Sequence, residues 1–295
     1  MDLCSSNDIK ALLARHGFRF SRSMGQNFLI ETWVPRDMAE ASGAGPGTGV
    51  LEIGPGIGPL TVQLARRADR VAAVELDRSL LPILSETLAE CPNVTVVPAD
   101  VMKLDLAALT NEHLPGLTPL VCANLPYNIT TPVLTRLLES GLFAAITVLV
   151  QKEVAQRICS APGRGNYGAF SLFCQYHAEA ELLFEVPGEC FLPAPKVTSA
   201  VLRLTPHPKP ACVRDEPFFF RVVSGAFSQR RKTLLNALSS VFSLSKEELR
   251  ACIDRAGLPA DVRGERLGIE AFARLADEIQ ALIPSANPPA DAPSL

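Results

Sequence analysis

The sequence predicts an α/β fold: a largely parallel sheet covered by helices on both faces, followed by a smaller all-helical C-terminal domain. Three observations carry this. Apolar, β-branched runs recur up to about residue 150, with helical patterns between them. Two later runs, Leu182 to Val186 and Val197 to Leu204, lie close together and fit an antiparallel pair at the end of the sheet. Beyond Pro206-His207-Pro208-Lys209-Pro210, which reads as a linker, the pattern turns helical.

Taken in order, residues 1–48 form a helical lead-in. Val50-Leu51-Glu52-Ile53 reads as the first buried strand, and Leu60 and Leu64 fit a helix after it. Val71 to Val74 is the second strand, followed by a helix bearing Leu80, Leu81, Leu84 and Leu88. Val94 to Val97, Leu120-Val121-Cys122-Ala123 and Ile146 to Val150 continue the series. The α/β domain is expected over residues 1–205 and the helical one over 206–283. In the latter, Pro217 after Asp215-Glu216 marks a helix start. Ser245-Lys246-Glu247-Glu248 is a capping box, with Leu249, Cys252, Ile253 and Ala256 as its apolar stripe and Gly257 to end it. Phe272, Leu275, Ala276, Ile279 and Leu282 form a last stripe before Pro284. Residues 284–295 are rich in Pro, Ala and Ser and are expected to be disordered. No internal repeat is visible.

Hydrophobic residues make up 47% and charged residues 20%, as in an ordinary soluble protein. No apolar run reaches the roughly 18 residues of a membrane span, and Asp2 and Asp8 interrupt any signal-like N-terminus. A cytoplasmic monomer is the expectation. Eight scattered cysteines with no C-x-x-C pair, and only four histidines, argue for reduced thiols and no metal site. The net charge of −3 does not advertise a nucleic-acid binder. Between positions 196 and 232, however, Lys196, Arg203, Lys209, Arg214, Arg221, Arg230, Arg231 and Lys232 face only Asp215 and Glu216. A local basic surface is what phosphate binding requires.

Leu51-Glu52-Ile53-Gly54-Pro55-Gly56-Ile57-Gly58 follows a strand and opens a helix. Its glycines let the backbone turn tightly and a ligand approach closely. The dinucleotide spacing G-x-G-x-x-G fails, because Pro59 stands at the last position. The G-x-G-x-G form suits S-adenosylmethionine (SAM), which has no pyrophosphate. Glu75 closes the next strand, where it can accept both ribose hydroxyls, and Asp100 closes the third, placed for the adenine amine of the cofactor. Either alone could be a surface carboxylate at a strand end. With the glycine loop and Asn124 they occupy four successive strand C-termini, where open α/β sheets bind ligands.

Asn124-Leu125-Pro126-Tyr127 can hold the exocyclic amine of a nucleobase. The Asn124 side chain offers one carbonyl oxygen, and Pro126 a second that no helix claims. Two acceptors grip the two hydrogens of an adenine N6 amine, and Tyr127 supplies a flat face for the ring. Phe191, in Phe191-Leu192-Pro193-Ala194-Pro195, is the candidate for the opposite face, its alternative role being a core aromatic that anchors the loop. Arg230, Arg231 and Lys232 are candidate phosphate contacts, with Lys196; the alternative is a solvated helix face.

These blocks resemble the ribosomal RNA adenine N6-dimethyltransferases of the KsgA type. The likeness is carried by Gly25-Gln26-Asn27-Phe28-Leu29, the glycine loop, Val74-Glu75-Leu76-Asp77, and Asn124-Leu125-Pro126-Tyr127-Asn128-Ile129. It continues through Gln151-Lys152-Glu153-Val154-Ala155, Pro193-Ala194-Pro195-Lys196-Val197-Thr198-Ser199-Ala200-Val201 and Phe227-Ser228-Gln229-Arg230-Arg231-Lys232-Thr233-Leu234, over about residues 20 to 275. The resemblance implies a Rossmann-like class I SAM-dependent methyltransferase domain followed by a helical RNA-contacting domain. It implies SAM-dependent dimethylation of two adjacent adenosines near the 3′ end of 16S rRNA in the small ribosomal subunit, with S-adenosylhomocysteine as product. By matching position, Asn27, Leu29, Gly54, Gly56, Glu75, Asp100 and Asn124 would line the cofactor site. Two features depart from the pattern: a pI of 5.9 and an N-terminal basic flank reduced to Ser21-Arg22-Ser23.

Four other readings compete. A 23S rRNA adenine methyltransferase of the antibiotic-resistance type shares the catalytic blocks but not the long helical part with the Pro-Lys-Val-Thr-Ser block. DNA adenine methyltransferases usually carry Pro at the position of Leu125, and a NAD enzyme has no use for Asn124-Leu125-Pro126-Tyr127. A ribosome-assembly factor acting mainly by binding would use the same surface.

Overall fold

The computed structural model describes residues 3–20 and 25–283. The expectations for Ser21-Arg22-Ser23 and for the 284–295 tail lie outside the described residues. The chain divides into two compact units: one runs to Ala155 and resumes over Ala178–Pro206, and the other comprises Gln156–His177 and the chain from His207 onward.

The first unit begins with α1 (Ser6–Arg15), whose N-terminus is capped by the Ser5 hydroxyl. There follow β1 (Phe28–Leu29), α2 (Trp33–Ala41), β2 (Thr48–Ile53), α3 (Pro59–Ala65), β3 (Arg70–Glu75), α4 (Leu81–Thr87) and β4 (Val94–Pro98). Next come α5 (Leu106–His113), β5 (Thr118–Asn124), α6 (Thr130–Ser140), β6 (Ala145–Gln151) and the start of α7 (Lys152–Ile158), a helix that passes into the second unit after Ala155. β7 (Ala178–Val186), β8 (Phe191–Leu192) and β9 (Ser199–Pro206) complete the first unit.

Among the described residues the main sheet has seven strands in the order β4-β3-β2-β5-β6-β9-β7. β2 to β6 are parallel, and β9 runs antiparallel to both β6 and β7. Strands covered on both faces read as unbroken apolar runs, and Val50, Leu51, Val121 and Cys122 are fully buried. One face packs Val34, Met38, Leu60 and Leu64; another core gathers Ile9, Leu12, Ile57, Ile83 and Leu84. The chain leaves β2 toward β3 and β4, then returns to β5 on the other side. That reversal opens a crevice at the C-terminal ends of β2 and β5, the usual ligand position in such sheets. The edge strand β7 turns Glu179, Glu181 and Glu185 to solvent, which discourages pairing with another sheet.

The second unit contains α8 (Ala169–His177), α9 (Glu216–Ser228), α10 (Leu234–Leu238), α11 (Lys246–Arg255) and α12 (Ile269–Gln280). Asp215 caps α9 by accepting from the Phe218 amide at 3.0 Å. Both halves of the Ser245/Glu248 capping box form on α11. The expected boundary at 206 is corrected in one respect: Gln156–His177 belongs with the helices. Tyr167, Leu172 and Tyr176 join Phe219, Leu238 and Phe272 in one apolar cluster, so this segment shares the helical core. No helix among the described residues is long and apolar enough to cross a membrane.

Candidate active site

A cavity of about 190 Å³ opens at the C-terminal ends of β2, β3, β4 and β5. All seven expected cofactor residues, Asn27, Leu29, Gly54, Gly56, Glu75, Asp100 and Asn124, line it, together with Pro126 and Tyr127.

Gly54 leaves β2 with φ +69° and Gly56 turns with φ +62°, a left-handed conformation that side chains rarely adopt. A Cβ on Gly56 would also lie 3.1 Å from the Phe28 ring. The loop folds against the end of β3: the Gly56 amide donates to Glu75 Oε2 at 3.3 Å, and the Asp77 amide to Oε1 at 2.7 Å. Burial raises the Glu75 carboxyl above the ordinary carboxylate range, and these backbone donors oppose the rise. Asp100 stands two residues past β4 rather than closing it, with Oδ1 accepting from the Met102 amide at 2.9 Å.

In sequence, one further lining residue reads only as part of a strand. Glu52, on β2, is 1% exposed. Burial pushes its carboxyl up to about 8; the Thr61 hydroxyl opposes the rise and nearby Glu75 adds to it. The sequence signal was a lone carboxylate inside the apolar run Val50 to Ile53.

Asn124 ends β5, and its Nδ2 donates to the main-chain carbonyl of Asn27 at 3.1 Å. A carbonyl can only accept, so this contact fixes which end of the amide is which and leaves Oδ1 as an acceptor. Asn27 is itself held by a 3.0 Å bond from its Nδ2 to the Gly25 carbonyl. The segment is anchored at further points. Gln26 Nε2 donates to Asp77 Oδ2 at 2.7 Å, and β1 pairs antiparallel with β8, Leu29 opposite Phe191.

Two expectations at the catalytic motif are corrected. The Pro126 carbonyl is not unclaimed: it accepts from the Ile129 amide and from the Thr130 hydroxyl, both at 3.2 Å, because the chain turns into α6 directly after it. Phe191 offers no open face in this conformation. Its side chain is 2% exposed and packs in the cluster of Leu29, Val34 and Met38, where the pairing of β1 with β8 draws it inward. Tyr127, by contrast, lines the cavity half-buried, and its hydroxyl meets Ser199 Oγ at 2.7 Å. Burial raises its phenol above the ordinary range, against the Ser199 contact.

The basic residues divide. Arg230, Arg231 and Lys232 sit in the turn between α9 and α10, not on a helix. Arg230 is committed to the protein: its guanidinium donates to the Gly165 and Tyr167 carbonyls and toward Glu265 Oε2, so its reading as a phosphate contact is withdrawn. Arg231 and Lys232 are exposed, with no ion pair among the described residues, as is Lys196. Lys209 pairs with Glu216, Arg214 with Asp277, and Arg203 donates to the Ala41 carbonyl. Among the described residues no cluster of His, Cys, Asp and Glu could hold a metal ion.

The chain can now be set beside known proteins. A family model described as ribosomal RNA adenine dimethylase matches residues 17–281. The ribosomal RNA small subunit methyltransferase A of Streptococcus pneumoniae (strain P1031) is 47% identical over 277 residues, covering 92% of this chain and 96% of the relative. That of Geobacillus thermodenitrificans (strain NG80-2) is 44% identical over 288 residues, with 95% and 98% covered. Among solved structures, the 23S rRNA methyltransferase ErmE superposes with a TM-score of 0.66 at 27% identity, over 86% of this chain and all of that one. A dimethyladenosine transferase from Plasmodium falciparum gives 0.69 over 83% and 95% of the two chains; at 22% identity it attests the fold alone. A match over nearly the whole length, with the catalytic motif and the glycine loop meeting in one cavity, places this chain in the ribosomal RNA adenine dimethylase family.

Proposed function

We propose that the protein dimethylates N6 of two adjacent adenosines near the 3′ end of 16S rRNA with SAM, contributing to small-subunit biogenesis in the cytoplasm. The observation that carries this is the fixed amide of Asn124, whose Oδ1 is left free to accept beside the glycine-loop cavity. The cavity suits SAM by its charge: Glu75 and Asp100 line it, as a sulfonium cation requires. Glu75 is placed for the ribose hydroxyls and Asp100 for the adenine amine. When bound, SAM supplies an electrophilic methyl group.

The lone pair of an adenine amine is conjugated into the ring, which makes the amine a poor nucleophile. Asn124 Oδ1 and the Pro126 carbonyl, accepting its two hydrogens, favour a pyramidal nitrogen and stabilise the positive charge that grows on it. Fixing that nitrogen in line with the methyl supplies much of the remainder. No strong base is required, since the amine proton becomes acidic once the methyl has arrived. The target base leaves its stack to enter, and Tyr127 stacks on one face, worth roughly 1–3 kcal/mol. Lys196, Arg231 and Lys232 are available for phosphates.

The resistance-type alternative has less support. The relatives that carry the small-subunit name share 44–47% identity over most of the chain, against 27% for ErmE. The test is transfer from labelled SAM to unmethylated small subunits, large subunits and naked rRNA, with the modified base identified. Dimethyladenosine confined to the small subunit is expected. Label on large-subunit RNA would move the protein to the other branch. An Asn124 variant that lacks transfer yet restores subunit maturation would make binding the principal role.

A further inference from the structure

The two acceptors facing the amine differ in what else they carry. Asn124 Oδ1 has no other donor among the described residues, and only its Nδ2 is engaged. The Pro126 carbonyl holds two donors, the Ile129 amide and the Thr130 hydroxyl, each at 3.2 Å. Thr130 is 3% exposed, at the start of α6, with its hydroxyl directed back onto that carbonyl.

Dimethylation makes this difference matter. The unmodified amine brings two hydrogens, whereas N6-methyladenosine brings one, so the second transfer must proceed with one acceptor deserted. Deserting Asn124 would leave Oδ1 with no donor. Deserting Pro126 leaves a carbonyl that two protein groups still satisfy. An acceptor that the docked base shuts off from water is costly to leave without a donor, and one that keeps its donors is not.

We propose that Thr130 is a positioning residue for the second methyl transfer. Its hydroxyl satisfies the Pro126 carbonyl once the amine has lost a hydrogen, so the remaining N–H goes to Asn124 and the first methyl turns toward Pro126. The inference rests on the dimethylation reading above. In each round the N6 lone pair forms the new C–N bond, and the S–CH₃ bond breaks with its electron pair left on sulfur. The amine proton departs to water. In the first round the hydroxyl gives way. At 3.2 Å its bond is long for O–H···O contacts, which cluster near 2.7–2.8 Å, so the carbonyl can also accept from the base.

The test is a time course of N6-methyl- and N6,N6-dimethyladenosine formation on unmethylated small subunits, using unaltered protein, Thr130→Val and Thr130→Ser. Valine keeps the shape and removes the hydroxyl; serine keeps the hydroxyl and removes the methyl. Thr130→Val is expected to make the first product at a near-normal rate. It should slow the second step about tenfold, so that N6-methyladenosine accumulates. Thr130→Ser should finish to the dimethyl product.

An unaltered product ratio in Thr130→Val would overturn the inference. So would equal slowing of both steps, or the same shift in the serine variant, since either makes the role one of packing. Should Thr130→Val fail to fold, Thr130→Ala removes the hydroxyl and is judged by the same ratio. Failure of the unaltered protein to methylate adenosine at all would instead overturn the underlying reading, and this inference with it.

Discussion

Asn124 acts through the direction of its amide, and that direction is set 97 positions away in the chain by the Asn27 carbonyl. Asn124→Asp replaces the donor by a carboxylate oxygen facing that carbonyl, so the side chain loses its tether and its aim. Transfer is expected to fall by about 10²–10³, the loss usual when one preorganised transition-state contact is removed. SAM affinity and the unfolding midpoint serve as controls, and a folded Asn124→Asp protein with near-normal transfer would refute the mechanism. Glu52 allows a prediction of a different kind. With its folded-state pKa raised from 4.5 to about 8, the carboxyl stays protonated in the folded protein while the unfolded chain ionises. Stability is therefore fully present below about pH 4.5 and falls as pH rises toward 8, by at most about 1.4 kcal/mol per pH unit from this one group. Glu52→Gln, which cannot ionise, is expected to lose that slope. Urea unfolding at pH 5 and pH 8 decides it: the stability difference between the two pH values must shrink in the variant.

At the scale of elements, the sheet was legible and its contacts were not. Four of the five parallel strands, β2, β3, β5 and β6, announced themselves because a strand covered on both faces leaves an apolar run without polar alternation. The edge strand β4, expected to be buried, is only partly so, and its β-branched residues alone marked it. Helix starts at Asp215 and Ser245 were legible too, because capping is decided within four residues. The segment Gln156–His177 was misplaced for the converse reason. Which core an apolar face joins depends on partners far along the chain, as Tyr167 with Phe272 shows. Phe191 failed in the same way: its motif placed it near the base, but the pairing of β8 with β1 turns it into the core. That burial predicts that Phe191→Ala costs about 3–5 kcal/mol in urea unfolding, as for other buried aromatics. A loss within about 0.5 kcal/mol, typical of surface positions, would return the ring to the surface.

For the whole molecule the question is how a chain of net charge −3 engages an RNA. The basic stretch between 196 and 232 is less basic than it reads, because Lys209 and Arg214 are paired with carboxylates and Arg230 binds two carbonyls and faces Glu265. None of this was visible in sequence, since Arg230 meets Gly165 and Tyr167 more than sixty positions away. Three adjacent residues of one block should therefore behave as two kinds. Each phosphate contact by an unpaired cation releases a counterion and steepens the dependence of log affinity on log salt by about 0.7–0.9. Replacing Arg231 and Lys232 together by Gln is expected to flatten that slope by up to about 2, weaken RNA binding and leave SAM affinity and the unfolding midpoint unchanged. Arg230→Gln should do the reverse, lowering the midpoint as the Gly165 and Tyr167 carbonyls lose their donor while the salt slope stays. RNA titrations at several salt concentrations, run beside thermal unfolding of both variants, separate the two. If Arg230→Gln flattens the slope and leaves the midpoint alone, the division drawn from its hydrogen bonds is wrong, and the three residues act together on the RNA.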